Sequence, residues 1–337
     1  MTKETFNTLV VTETSENKFI REIKEIHITD LPSHEVLIKV HFAALNYKDA
    51  LSASGHKGIT RQYPHTPGID AAGIVVSSSD NRFNTGDEVI VTSYDLGMNT
   101  HGGFSEYICV PADWIVLKPT EFSLKESMIY GTAGFTAGLS LLKMEMMGQT
   151  PEMGPILVTG ATGGVGSMAV AILTKAGYQV IASTGKKAEH DYLKSLGAVK
   201  CIDRDQVFDV SNKAIIRTAW AGAIDTVGGT TLSTVVRACG HNGNVAVCGL
   251  VESPALNITV YPLIIKGVNL LGIESAECNM EMRLRVWKKL ANTWKVSIPD
   301  SSITYCSLHE INHFIDMILD GKVKGRVVVD LNTQKSN

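Results

Sequence analysis

The sequence predicts an α/β protein in two parts, a β-rich barrel and a doubly wound parallel sheet. Three observations carry this. The first third holds short apolar runs separated by turn signals, the stretch after about residue 155 alternates strands and helices through short loops, and a glycine cluster between Val158 and Val165 joins a strand to a helix.

Composition sets the outer bounds. With 337 residues, 44% hydrophobic and 19% charged, the chain can bury a large core and suits two domains better than one. The formal net charge of −3 offers no basic surplus for a phosphate backbone, so no nucleic-acid partner is expected. The opening residues Met1 to Thr5 carry acid and no apolar run, and no stretch reaches transmembrane length, so a soluble, cytoplasmic protein without a membrane partner is expected. Six cysteines are scattered with no C-x-x-C pair, which fits reduced thiols better than a disulfide framework or a structural zinc cluster.

In the first third, Val36 to Phe42 alternates as a half-buried strand should, with Lys39 and His41 outward. Runs at Ala72–Val76, Glu88–Thr92 and Tyr107–Val110 follow, divided by Asn84-Thr85-Gly86-Asp87 and His101-Gly102-Gly103, a spacing that suggests a compact barrel. Near Glu121 the pattern changes: Ser123 can cap a helix through Glu126, Met128 and Ile129, and a second helix is expected from about Ala137 to Met147. The domain junction is placed there, giving residues 1–125 with 299–337 as one domain and 126–298 as the other. Beyond the glycines come a helix over Ala188–Leu196, strands at Lys200–Asp203 and Ala223–Val227, a helix over Thr231–Ala238, and strands at Asn244–Gly249 and Val268–Ile273. The run Gly325–Asp330 reads as a last strand outside that rhythm, one that returns to the first domain.

Near the C-terminus, His309-Glu310-Ile311-Asn312-His313 matches H-E-x-x-H, the spacing that places two imidazoles on one helical face for zinc. Ser307 and Glu310 also form S-x-x-E, a capping box that would occupy the glutamate and turn Ile311, Phe314, Ile315 and Ile318 to the core. The capping reading is preferred, and no metal site is expected.

The stretch Val158-Thr159-Gly160-Ala161-Thr162-Gly163-Gly164-Val165-Gly166 carries the chemistry. Glycines in such a turn leave room for a pyrophosphate against the free N–H groups of the helix start, and Tyr178–Ser183 completes a βαβ unit. Ala161 stands where the first glycine of G-x-G-x-x-G usually does, followed by Gly163 and Gly166. An NAD enzyme usually places an acid about twenty residues on, at the end of the second strand. Here that place reads Ser183-Thr184-Gly185-Lys186-Lys187, with no acid before Glu189. Hydroxyls and ammonium groups, with Arg204 after the third strand, suit a 2′-phosphate, so NADP(H) is expected.

Taken together with Leu45-Asn46-Tyr47-Lys48-Asp49-Ala50-Leu51, Pro67-Gly68-Ile69-Asp70-Ala71-Ala72-Gly73, Gly86-Asp87-Glu88-Val89 and Gly131-Thr132-Ala133-Gly134-Phe135-Thr136-Ala137, the glycine turn resembles the zinc-free quinone oxidoreductase branch of the medium-chain dehydrogenases/reductases. Asn46–Leu51 with Ala221–Gly229 is similar, more narrowly, to its acrylyl-CoA reductase subgroup. The resemblance spans essentially the whole chain and implies a GroES-like barrel, a six-stranded Rossmann domain, NADPH and commonly a homodimer. Where zinc-dependent relatives place a Cys, then His and Glu, this chain has Asn46, Ile69 and Asp70, and isoleucine cannot bind a metal.

Without a Lewis acid, hydride delivery to the β-carbon of a C=C bond conjugated to a carbonyl, followed by protonation of the α-carbon, is the expected reaction. Tyr47 is the candidate hydrogen-bond or proton donor, and the resemblance places it against the cofactor as well. Asp70 and Asp49 are expected to orient Tyr47 or contact the nicotinamide ribose, and Arg326 to attract an anionic substrate or close the cleft. Matching motif positions imply Gly163, Gly164, Val165 and Gly166 at the pyrophosphate, Ser183, Thr184, Gly185 and Lys186 with Arg204 at the adenosine phosphate, and Leu250, Ile264 and Ser275 near the nicotinamide. Three readings stay open: a reductase of short enoyl-CoA thioesters, a reductase of quinones or small enals, and an NADPH-binding protein without catalysis.

Overall fold

The computed structural model describes residues 4–15 and 18–332. The sequence expectation for Met1–Lys3 lies outside the described residues. The chain forms two compact units. One comprises residues up to Thr132, Ala276–Leu284 and the chain from Asp300 on, and the other Ala133–Ser275 with Arg285–Pro299.

The first unit opens with strands β1 (Thr5–Glu13) and β2 (Phe19–His27), paired antiparallel from Thr5↔His27 to Glu13↔Phe19. There follow β3 (Val36–Leu45), the short helix α1 (Tyr47–Ser52), β4 (Asp70–Ser78), β5 (Glu88–Thr92), β6 (Tyr107–Val110) and β7 (Ile115–Leu117). The β1–β2 hairpin is not marked by a tight-turn signal, and the sequence reading passed over it.

Helix α2 (Leu124–Met146) contains the two helices expected from the sequence, run together end to end across a kink. Its ladder is broken at Gly131, whose φ of 47° and ψ of −153° are not helical, and the helix resumes at once. The unit boundary falls directly after this kink. Ser123 does cap the helix: its Oγ accepts from Glu126 N at 3.1 Å while its own N–H donates to Glu126 Oε2 at 2.8 Å.

The second unit contains β8 (Ile156–Val158), α3 (Gly164–Lys175), β9 (Val180–Thr184), α4 (His190–Ser195), β10 (Lys200–Asp203), β11 (Gly222–Asp225), α5 (Gly229–Ala238), β12 (Asn244–Val247), α6 (Tyr261–Lys266) and β13 (Asn269–Gly272). All six strands are parallel, in the order β10-β9-β8-β11-β12-β13. This is the doubly wound arrangement, with the order reversing beside β8, where the glycine turn leaves the sheet. β8 is fully buried and α3 buries an unbroken run from Gly166 to Leu173, as a strand and helix inside a layered α/β core must. Helix α6 went unrecognised in the sequence, because six residues are too few to show a period.

The remaining elements are α7 (Met280–Ala291), β14 (Ile303–Ser307), α8 (Ile311–Leu319) and β15 (Arg326–Asp330). In the first unit β15 pairs antiparallel with β3, from Val327↔Leu45 to Asp330↔Phe42, and completes a seven-stranded sheet in which β3 has β4 along one edge and β6 then β15 along the other. Segment 276–284 belongs to this unit because Arg283, fully buried, donates to Thr92 O at 3.0 Å and Thr92 Oγ1 at 2.9 Å and lies 4.2 Å from the Tyr94 ring. Ile311 and Ile315 of α8 enter the first unit's core and Phe314 and Ile318 pack against it, as the capping reading requires. Ser307 N donates to Glu310 Oε2 at 2.7 Å. The H-E-x-x-H match is thus a helix start. Among the described residues no helix is long and apolar enough to cross a membrane.

Candidate functional site

The glycine turn of the second unit is built by close approach. A Cβ on Gly166 would stand 2.3 Å from Gly160 O and 2.7 Å from Ala161 Cα, so only glycine lets α3 start this near β8. Gly163 takes the N-cap position, and the first-turn N–H groups of Gly164, Val165 and Gly166 have no partner within the helix. That is the arrangement a pyrophosphate needs, and the residues present fit a dinucleotide cofactor. Buried Asp225 stiffens the neighbouring strand end: Thr159 Oγ1 donates to Asp225 Oδ1 at 2.7 Å and Gly228 N to Asp225 Oδ2 at 2.8 Å.

At the end of β9 the chain divides the expected adenosine-phosphate residues by exposure. Ser183 and Thr184 are buried, and Thr184 Oγ1 is engaged with Thr162 Oγ1 at 3.2 Å and Lys186 N at 3.1 Å. These hydroxyls tie the glycine turn to the strand end. The surface presented there is Gly185, Lys186 and Arg204, with Arg204 Nε 2.9 Å from the place a Gly185 Cβ would take. Asp203 pairs in register with Thr184, so its carboxylate sits at this same edge. The sequence reading, searching only the second strand, missed it. Of the nicotinamide candidates, Leu250 and Ile264 are exposed and Ser275 Oγ accepts from Thr136 Oγ1 at 2.9 Å.

The first unit holds a buried polar cluster. Asn46 caps α1, and Asp49 reaches back to accept from Asn46 N at 2.7 Å and from Ile69 N at 2.8 Å. Asp70 accepts from Asn46 Nδ2 at 2.8 Å and from Thr132 N at 2.9 Å, and from Thr132 Oγ1 at 2.5 Å. Arg326 donates from Nε to Ile129 O at 3.0 Å and from Nη1 to Asn46 Oδ1 at 3.2 Å, with Nη2 3.8 Å from Asp70 Oδ2. Asp49 and Asp70 are fully buried and Arg326 is 3% exposed. Burial, and then the neighbouring Asp70 charge, push the Asp49 carboxyl up to about 7. Burial also raises Asp70, opposed by Arg326 and the Thr132 donors. Gly131 is part of the cluster by necessity: a Cβ there would lie 2.4 Å from Asp70 Oδ2 and 2.9 Å from Arg326 Nη2.

Two expectations are corrected by this geometry. Arg326 is not a surface group available to an anionic substrate, because it lies inside the unit with its charge facing Asp70. Asp49 and Asp70 do not orient Tyr47 by hydrogen bonds. Both face Asn46 and the backbone, while Tyr47 is 44% exposed at the first position of α1. Asp49 acts on Tyr47 only through the cap that fixes the helix start. Thr132 and Gly131 were missed as site residues because nothing local in the sequence links them to Asp70, which is 62 positions from Thr132. The set Asn46, Ile69 and Asp70 does not fit a zinc ion, since both polar ends of Asn46 are used inside the cluster and Ile69 has no donor. Among the described residues no group of three His, Cys, Asp or Glu side chains could hold a metal.

Comparison with known proteins gives the same architecture. The model of the alcohol dehydrogenase GroES-like domain matches residues 32–120 and that of the zinc-binding dehydrogenase domain residues 164–292. YhfP of Bacillus subtilis, provisionally named a quinone oxidoreductase, is 49% identical over 313 residues, 92% of this chain and 94% of its own. Its crystal structure with NAD bound superposes with a TM-score of 0.95 at 46% identity, covering 98% of this chain and all of that one. The acrylyl-CoA reductase AcuI of Ruegeria pomeroyi is 42% identical over 328 residues, 97% of this chain and 99% of its own. The yhdH oxidoreductase of Salmonella enterica, solved in complex with NADP, has a TM-score of 0.93 at 39% identity over 96% of this chain and 99% of that one. A GroES-like domain and a Rossmann-type parallel sheet, joined in one chain with relatives of this identity and coverage, place the protein in the medium-chain dehydrogenase/reductase superfamily of oxidoreductases.

Proposed function

We propose that the chain is an NADPH-dependent reductase that saturates the C=C bond of a short α,β-unsaturated acyl-CoA, converting acrylyl-CoA to propanoyl-CoA without a metal. The observation that carries the cofactor half is Arg204 lying against Gly185 at the end of the second strand, beside a glycine cradle that fits a pyrophosphate. The substrate half is supported by the likeness to AcuI along nearly the whole chain.

When bound, NADPH supplies the hydride that goes to the β-carbon. The first-turn N–H groups of Gly164 to Gly166 hold the anionic bridge, and Arg204 with Lys186 faces the extra phosphate. Charge that gathers on the thioester oxygen as the α-carbon becomes enolate-like needs a hydrogen-bond donor. The Tyr47 hydroxyl is the proposed donor, being 44% exposed and placed by a helix start that Asn46 and Asp49 lock. Water then protonates the α-carbon to complete the reduction. Tyr47→Phe should lower kcat by about 100-fold or more, the scale of one lost oxyanion donor. An unchanged kcat would remove Tyr47 as the donor at the oxygen. A homodimer belongs to the same proposal, and sedimentation of a monomer would remove it.

A second reading, reduction of a quinone or small enal, is favoured by the likeness to YhfP. Loss of NADPH absorbance should be followed against acrylyl-CoA, crotonyl-CoA, a small enal and a benzoquinone, with NADH as control. Preference for the thioester supports the proposal and preference for the quinone supports the second reading. Cofactor binding without turnover on any of them defeats both.

A further inference from the structure

The adenosine-phosphate edge of the second unit carries an acid as well as bases. Asp203 ends β10 opposite Thr184 of β9 and directly precedes Arg204, whose side chain lies on Gly185. In such sheets a carboxylate at a strand end beside the ribose favours NAD(H), because it accepts from the ribose hydroxyls and repels a 2′-phosphate. Asp203 does not stand there alone. Lys187 Nζ lies 2.9 Å from Asp203 Oδ2, and His190 Nε2 is 3.9 Å from Asp203 Oδ1. Asp203 Oδ1 is itself buried with no hydrogen-bond partner, so this oxygen is not satisfied by the protein.

Resting on the NADPH reading above, we propose that Lys187 is a specificity-determining residue that acts through Asp203: by pairing with this carboxylate it keeps the strand end receptive to a 2′-phosphate instead of a free ribose hydroxyl. The Asp203 carboxylate beside Lys187 holds its ammonium above the usual lysine range. The pair is exposed on the lysine side, with 77% of that side chain accessible, so it adds little to folding and its effect falls on the local field. Arg204 lies on Gly185 at this edge, and Lys187 neutralises the acid beside it. The same fold would change cofactor preference by altering this one counter-ion, in keeping with relatives of this architecture solved with NADP in one case and NAD in the other.

The test is a double-mutant cycle read by equilibrium binding of NADPH and NADH to the full chain. Lys187→Ala should weaken NADPH roughly tenfold, the effect of one uncompensated charge near a partly solvated dianion, and should leave NADH equal or tighter. Asp203→Asn alone should leave NADPH equal or tighter, and adding it to Lys187→Ala should restore the wild-type ratio of the two affinities. If the double variant stays as weak for NADPH as Lys187→Ala, the lysine binds the phosphate itself and the inference is overturned. If Lys187→Ala changes neither affinity, it is overturned as well. A wild-type chain that binds both cofactors equally would instead defeat the NADPH reading, which separates the two failures.

Discussion

Replacing Asp70 by alanine isolates what the buried cluster contributes. The change removes the acceptor for Thr132 N and Oγ1 and for Asn46 Nδ2, and it leaves Arg326, 3% exposed, hydrogen-bonded only to the neutral oxygens of Asn46 and Ile129, with Asp49 as the remaining nearby carboxyl. Removing one partner of a buried ion pair costs about 3–5 kcal/mol. At roughly 2–4 °C per kcal/mol for a folding unit of about 150–250 residues, the midpoint should fall by roughly 6–20 °C. Urea and thermal unfolding followed by circular dichroism reads this directly. Adding Arg326→Met replaces the stranded cation by an apolar chain of similar length. Part of the loss should then return, about 1–3 kcal/mol of coupling in the cycle. A loss below about 1 kcal/mol in Asp70→Ala, or a double variant no better than the single one, would refute the claim that the pair holds the cluster together.

Further outcomes follow from the same geometry. Gly131→Ala should cost about 1–3 kcal/mol from its φ of 47° and ψ of −153° alone, and more from the collision with Asp70 Oδ2; a melting midpoint within error of wild type would show that α2 can straighten there. The Asp49 carboxyl titrates near 7 in the folded chain against 3.8 otherwise, so the folded state holds an extra proton across that interval. Its stabilising contribution is complete below pH 3.8 and is lost as pH rises to about 7, and the midpoint of Asp49→Asn relative to wild type should therefore rise across that interval and level off above about 7. A pH-independent difference would mean that the group is already ionised. Arg204→Ala should raise the Kd of NADPH by roughly 10–100-fold, the worth of a charge-assisted hydrogen bond, with NADH unchanged in calorimetry. An equal loss for both cofactors would place Arg204 away from the 2′-phosphate.

Much of the second unit could be read from the chain because its signals are local. The glycines from Gly160 to Gly166, the buried run of α3 and the bases after β9 each act on residues within one βαβ unit, and their period and chemistry show in sequence. The Ser307–Glu310 cap and the inward face of α8 were legible for the same reason. The polar cluster was not. Asn46, Asp70, Thr132 and Arg326 come from four distant stretches, and a charged arginine near the C-terminus reads as a surface group until β15 pairs with β3 and carries it inside. Sequence alone determined the family, the cradle and the missing metal ligands, since these depend on residue type at short spacing. Tertiary structure decided which charges are buried together, that Gly131 must be glycine because Asp70 and Arg326 occupy its Cβ space, and that Asp203 shares an edge with Arg204 and Lys187. Those facts depend on strand register and chain crossing, where residues far apart in sequence meet in one volume and a few ångströms fix which group each charge faces.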